Sequence, residues 1–127
     1  MFTFCLSGCA NNSVKQIKAD YIDIGFGDSL YHGERKIDDE TLQSIVEAYN
    51  AIEYTGKTSQ EINYENAITV TFVYKDKNSE IIVIDENGIF ENKYKTQKYG
   101  FDYRLVNSNS DFYKLALKIY EDIKKQY

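Results

Sequence analysis

Ala67-Ile68-Thr69-Val70-Thr71-Phe72-Val73-Tyr74 alternates strictly, with Ile68, Val70, Phe72 and Tyr74 facing one way and Ala67, Thr69, Thr71 and Val73 the other. A period of two is the pattern of a strand that lays one face on a core. Asp76-Lys77-Asn78-Ser79 follows with turn chemistry, and Ile81-Ile82-Val83-Ile84 is apolar on both faces, as a central strand requires. Asn87-Gly88 is a two-residue hairpin signal that returns the chain through 89–94. Tyr99, Phe101, Tyr103 and Leu105 then alternate again, with Tyr99 and Tyr103 assigned to the core side. The middle of the chain therefore reads as an antiparallel meander.

On the N-terminal side, 14–26 is strand-like, with Ile22, Ile24 and Phe26 on one face, Asp23 opposite, and Gly25, Gly27 and Asp28 closing it. Residues 29–37 read as either a loop or the return of a hairpin. Ile37-Asp38-Asp39-Glu40-Thr41-Leu42 opens a helix: Asp38 caps free N–H groups, Asp39 and Glu40 oppose the positive helix end, and Ile37 staples onto Leu42. Leu42, Ile45, Val46, Tyr49 and Ile52 keep helical spacing, which predicts a helix over 39–53 ending near 53–56. A second helix is predicted over 111–125, capped by Ser108 or Ser110, with Phe112, Leu115, Ala116, Ile119 and Ile123 as its buried stripe. Each helix has one apolar face, so the economical arrangement is a two-layer α+β fold. It has an antiparallel sheet of four to five strands and two helices on one face, with Val46, Phe72, Ile82 and Ile119 in a shared core.

The chain has 127 residues, 43% of them apolar, which is one domain able to bury a core without disulfide or metal staples. Its charge of -5, with no block of like charges, is the wrong sign for a nucleic-acid binder. No apolar stretch approaches the roughly 18 residues of a membrane span. Thirteen lysines against two arginines, with fourteen Ile, ten Asn and twelve Tyr, follow AT-rich codons, a bias that resembles the proteomes of low-GC Gram-positive bacteria.

Residues 1–9 are uncharged, whereas the chain turns polar from Asn11. Leu6-Ser7-Gly8-Cys9 resembles the lipobox of bacterial lipoproteins, in which an apolar residue and two small ones precede the cysteine that takes the lipid. That resemblance implies a leader over 1–8, lipidation at Cys9, a polar tether to residue 13, and a single domain over 14–127. It also implies an address on the outer face of the cell membrane. Only eight residues precede Cys9 and none is basic, so Met1 is expected to fall inside the leader. Cys5 and Cys9 as ordinary terminal residues, or as a disulfide pair, are the alternatives. Lys36 to Val46, the meander and Asp111-Phe112-Tyr113-Lys114-Leu115 also resemble extracytoplasmic domains of unknown function in small Gram-positive lipoproteins, a likeness that implies no catalytic residue.

Chemistry-bearing constellations are sparse. His32 is the only histidine and no nucleophile motif accompanies it. Gly25-Phe26-Gly27-Asp28 lacks the third glycine and the lysine of a phosphate loop and reads as a turn. Asp20, Asp23 and Asp28 lack calcium-loop spacing, and alternation puts Asp20 and Asp23 on opposite faces. No catalytic residue, metal site or cofactor is expected. The twelve tyrosines are the least ordinary feature, since exposed tyrosines offer a broad apolar face, a hydroxyl and few rotors to freeze. Tyr113, Tyr120 and Tyr31 are the candidate contacts. The expected function is a non-enzymatic, lipid-anchored domain that binds an envelope or secreted protein or another envelope component. An inhibitor or immunity-type protein, and then a small envelope hydrolase with carboxylates not paired by the sequence, are the alternatives.

Overall fold

Ile68, Val70 and Phe72 are fully buried while Thr69, Thr71 and Val73 are only half-buried, so the decisive alternation survives as a strand with one face on the core. The computed structural model describes residues 12–76, 79–93, 102–105 and 111–127. In chain order the strands are β1 (Asn12–Ser13), β2 (Tyr21–Phe26), β3 (Ser29–His32), β4 (Glu53–Thr58), β5 (Ile68–Val73), β6 (Ser79–Ile84), β7 (Ile89–Asn92) and β8 (Asp102–Leu105). Helix α1 (Asp39–Asn50) lies between β3 and β4, and α2 (Phe112–Lys124) closes the described chain. The strands form one sheet in the order β1-β4-β8-β7-β6-β5-β2-β3, with every neighbouring pair antiparallel.

The α+β architecture is the one expected, but the sheet of eight strands is wider than the four to five read from the sequence. The additions sit at its edges. Helix α1 stops at Asn50 instead of continuing to 53, and the chain re-enters the sheet as β4, between β1 and β8. Glu53-Tyr54-Thr55-Gly56-Lys57-Thr58 carries no apolar alternation, so its strand state comes from pairing and not from its own pattern. Residues 29–37 resolve into the hairpin return, with β3 paired on β2 across a turn in which Gly27 has φ +60.

Asp38 caps α1, accepting from the Thr41 N–H at 2.8 Å, and hydrogen bonds from the Thr41 side chain and then its N–H hold the Asp38 carboxyl below the ordinary 3.8. A folded-state value below the unfolded one means the cap stabilises α1 above the unfolded value and is lost as pH falls through the folded one. An NMR titration is therefore expected to find Asp38 ionising below 3.8, with α1 amides losing protection in the same low-pH window. The second helix begins at Phe112 with Asp111 at its cap and no side-chain capping bond; Ser108 and Ser110 lie outside the described residues.

Both helices lie on the face of the sheet that carries Ile22, Ile24, Val70, Phe72, Ile82, Ile84 and Phe90, and with Ile45, Val46, Tyr49, Phe112, Ala116, Ile119 and Ile123 they make one core. The four residues expected to share it, Val46, Phe72, Ile82 and Ile119, all belong to it. Helix α1 carries the chain over this face from the β3 edge to β4. Residues 59–67 then bring it back across the other face to β5, where Ile62 and Ala67 seal Val83 and Ile89 in a second, small cluster. The crossing passes over the β7–β6 side, and among the described residues nothing covers the β5–β2–β3 side of that face.

Candidate binding surfaces

The uncovered half-face is built from the outward residues of β5, β2 and β3. Register places His32 opposite Asp23, Asp23 opposite Thr71 and Thr71 opposite Ile81, with Tyr21 and Val73 beside them. Leu30, opposite Gly25, is 67% exposed at the rim. His32 is held from both sides, with Nδ1 2.8 Å from Asp23 Oδ1 and Nε2 3.4 Å from Glu34 Oε1. The Tyr21 ring meets it edge-on at 5.2 Å, and desolvation, with Asp23 and Glu34 nearby, raises the Tyr21 phenol above its ordinary value. Asp23 Oδ1 also accepts from the Gly33 N–H at 3.1 Å. A Cβ on Gly33 would lie 2.2 Å from the Ile22 carbonyl oxygen, so only glycine lets β3 leave the sheet at this point. The half-face presents β-branched side chains, an aromatic ring and an imidazole fixed between carboxylates.

The three candidate tyrosines do not form one exposed patch. Tyr120 is buried at 4% exposure, against expectation, because the apolar stripe of α2 is one residue wider than the minimal helical period and takes it in beside Ile119. Its ring packs on Phe26 at 5.8 Å and on Tyr31 at 5.7 Å. Tyr31 is half-buried between Tyr120 and Tyr127, and the Tyr127 hydroxyl donates to the His32 carbonyl. These rings pin the end of α2 to the β3 hairpin. Tyr113 is half-buried, and its hydroxyl donates to the Asn66 carbonyl at 2.9 Å, tying α2 to the crossing segment. Cys9, with Cys5 and the rest of the proposed lipobox, lies outside the described residues, as do Tyr99 and Phe101.

Asp20 accepts from the Lys75 N–H and lies away from Asp23, and among the described residues no group of three or more His, Cys, Asp or Glu is placed to hold a metal ion. No helix among them is long and apolar enough to cross a membrane.

A second place escaped the sequence reading. On the helix side of the sheet, Glu80 stands opposite Phe72 and Asn92 opposite Ile82, positions where alternation calls for apolar side chains. Asn92, 4% exposed, donates to Glu80 Oε1 at 2.7 Å and hydrogen-bonds the buried Tyr49 phenol, whose ionisation is pushed far up by burial and then by Glu80. Glu80 opens onto a cleft of about 500 Å³ lined by Lys15, Gln16, Ile17, Tyr74, Asp76 and Ser79. Polar residues at core-facing register positions were the available signal. No protein-family model, curated protein or solved structure matches the chain.

Proposed function

We propose that this chain is a non-enzymatic extracytoplasmic domain, tethered by lipid at Cys9, that captures an envelope or secreted protein on the uncovered half-face of its sheet. The observation that carries the reading is that half-face itself. The crossing segment seals Val83 and Ile89 but stops short of Thr69, Thr71, Val73, Tyr21 and the 67%-exposed Leu30. Flat surfaces that mix aromatic, β-branched and polar groups suit protein contacts. The topology supports the tether. The chain enters the fold at β1, on one edge, while β3 forms the other, seven strand intervals away. At about 4.8 Å per interval the contact face stands about 24–34 Å across the sheet from β1.

The test places a photo-crosslinking residue at Leu30, at Thr71 and, as a control, at Glu40 on the exposed side of α1, in native membranes. Discrete adducts from Leu30 and Thr71 with none from Glu40 are expected; adducts from Glu40 alone would overturn the surface. In the same membranes Cys9→Ala is expected to move the protein to the soluble fraction. Two acyl chains at about 0.8 kcal/mol per buried CH₂ hold firmly where a bare polypeptide does not. Equal sedimentation of both forms would remove the anchor.

A further inference from the structure

The cleft beside Glu80 lies on the helix side of the sheet and is independent of the partner surface proposed above. Its floor is a ladder of polar groups rising out of the core. Tyr49, 3% exposed, is bonded to Asn92, and Asn92, 4% exposed, donates to Glu80 Oε1 at 2.7 Å. Glu80 is the last rung and the only one that reaches the cleft. Its carboxylate is half-removed from water at a core-facing position. Among the described residues the ion pairs are those of His32, and no nitrogen of Lys, Arg or His lies within 4.0 Å of Glu80. A partly desolvated carboxylate with one oxygen fixed, and with no cation of the described residues within 4.0 Å, gains most from a cation brought by a ligand.

The walls are formed before any ligand arrives. The Ile17 backbone is clamped by Asn50, whose Oδ1 accepts from Ile17 N at 2.9 Å and whose Nδ2 donates to Ile17 O at 3.0 Å. The Tyr74 hydroxyl accepts from Lys18 N at 3.4 Å, which sets the ring as the facing wall. Between Ile17 and Tyr74 the cleft has an apolar flank and an aromatic one, and its 500 Å³ lies in the range of small-ligand sites.

We infer that this cleft binds an alkylammonium group, carried either by a free ω-amino compound or by a lysine side chain of a peptide. A guanidinium fits less well, because it pairs with both oxygens of a carboxylate and Asn92 already occupies Oε1. An ammonium is a point donor that needs only the remaining oxygen, with Ser79 beside it and its methylenes along Ile17 and Tyr74. Lys15, exposed and lining the same cleft, favours a carbonyl or carboxylate elsewhere on the ligand.

The probes are 6-aminohexanoate for the free compound and Nα-acetyl-lysine N-methylamide for the peptide side chain, with hexanoate as the control, each titrated into the full chain by ¹⁵N NMR. Saturable shifts at Ile17, Ser79 and Glu80 with at least one amine and none with hexanoate are expected, the tighter probe naming the source. Glu80→Gln keeps an acceptor for Asn92 but loses the charge, and it should weaken binding roughly tenfold or more with the melting temperature unchanged. Ser79→Arg, on an exposed wall residue, should block the cleft while the fold stands. Absence of saturable shifts with both amines, equal binding by hexanoate, or wild-type amine affinity in Glu80→Gln or Ser79→Arg would overturn the site.

Discussion

Replacing Phe72 by Ala is expected to lower the unfolding free energy by about 3–5 kcal/mol, a large share of the stability of a domain this size. Phe72 is fully buried at the meeting point of the two layers. Its ring lies 5.6 Å from Tyr49 on α1 and stacks at 6.3 Å on Phe112 of α2, while Tyr49 and Phe112 meet edge-on at 5.6 Å. Truncation removes the aromatic that both helices share and leaves a cavity that α1 and α2 cannot close independently. Urea unfolding should show a lower midpoint with an unchanged slope. Tyr113→Phe is the matched control, since it deletes only the bond to Asn66 O, worth about 1 kcal/mol. A smaller loss at Phe72 than at Tyr113 would mean that the helix layer is not seated on β5.

The parts of this fold that were legible are those in which burial imposes a period. β5 and β6 bury one or both faces, α1 and α2 bury one stripe, and each leaves that record in the spacing of Ile, Val and Phe. β1 and β4 leave none. They are polar edge segments whose state is decided by partners distant in sequence, β4 by β8 and β1 by β4. Ile52 shows how the error at the end of α1 arose. It is fully buried and keeps helical spacing from Tyr49, yet it lies beyond the helix, its carbonyl accepting from Val14 N at 3.3 Å. Periodicity reports burial, and here burial outlasts the helix by two residues. Asn87-Gly88 was likewise half-informative. The hairpin is there, but its loop runs Glu86-Asn87-Gly88 between Asp85 and Ile89, and Gly88 at φ +81 supplies the left-handed residue of a three-residue turn.

Of the candidate surfaces, the half-face was partly readable. Asp23 was placed opposite the core correctly, whereas the pairing of Asp23 with His32 depends on a hairpin register that short polar strands do not announce. The tyrosines misled because helical spacing alone does not separate a half-buried position such as Tyr113 from a buried one such as Tyr120. Glu80 and Asn92 carried the opposite signal, polar residues in register with Phe72 and Ile82, and it became visible once the strands were paired.

Asp85→Ala is expected to cost about as much as Phe72→Ala, about 3–5 kcal/mol, through a different mechanism. Asp85 is completely buried and its carboxylate accepts three backbone N–H groups: Asn87 at 2.8 Å and Ile89 at 3.0 Å on Oδ1, and Asn63 at 2.9 Å on Oδ2. Oδ1 closes the β6–β7 turn, while Oδ2 reaches across to the crossing segment, so one side chain sets the hairpin and pins the segment that covers Val83 and Ile89. Removing it strands three donors, each costing about 1–3 kcal/mol when left unmet, with partial relief from water. The other ties of the crossing segment are single bonds, several of them exposed: Asn63 to Glu86 at 3.2 Å, Asn66 Nδ2 to Glu86 Oε2 at 2.5 Å, Tyr64 to Glu91 at 3.0 Å, Tyr113 to Asn66 O at 2.9 Å and Gly27 N to Ala67 O at 3.4 Å. Hydrogen exchange should therefore show Asn63, Asn87 and Ile89 losing protection first, ahead of β5 and the helices, as a local opening. Asp85→Asn should fall between wild type and Ala, because the amide keeps one oxygen for the turn but turns a donor toward Asn63 N. Opening the segment would bare Val83 and Ile89 and extend the exposed half-face across the sheet, so Asp85→Ala should also self-associate at concentrations where the wild type does not. Wild-type exchange at Asn63 in Asp85→Ala would show that the crossing is held by its apolar contacts alone, and that the boundary of the uncovered face is set by Ile62 and Ala67 instead.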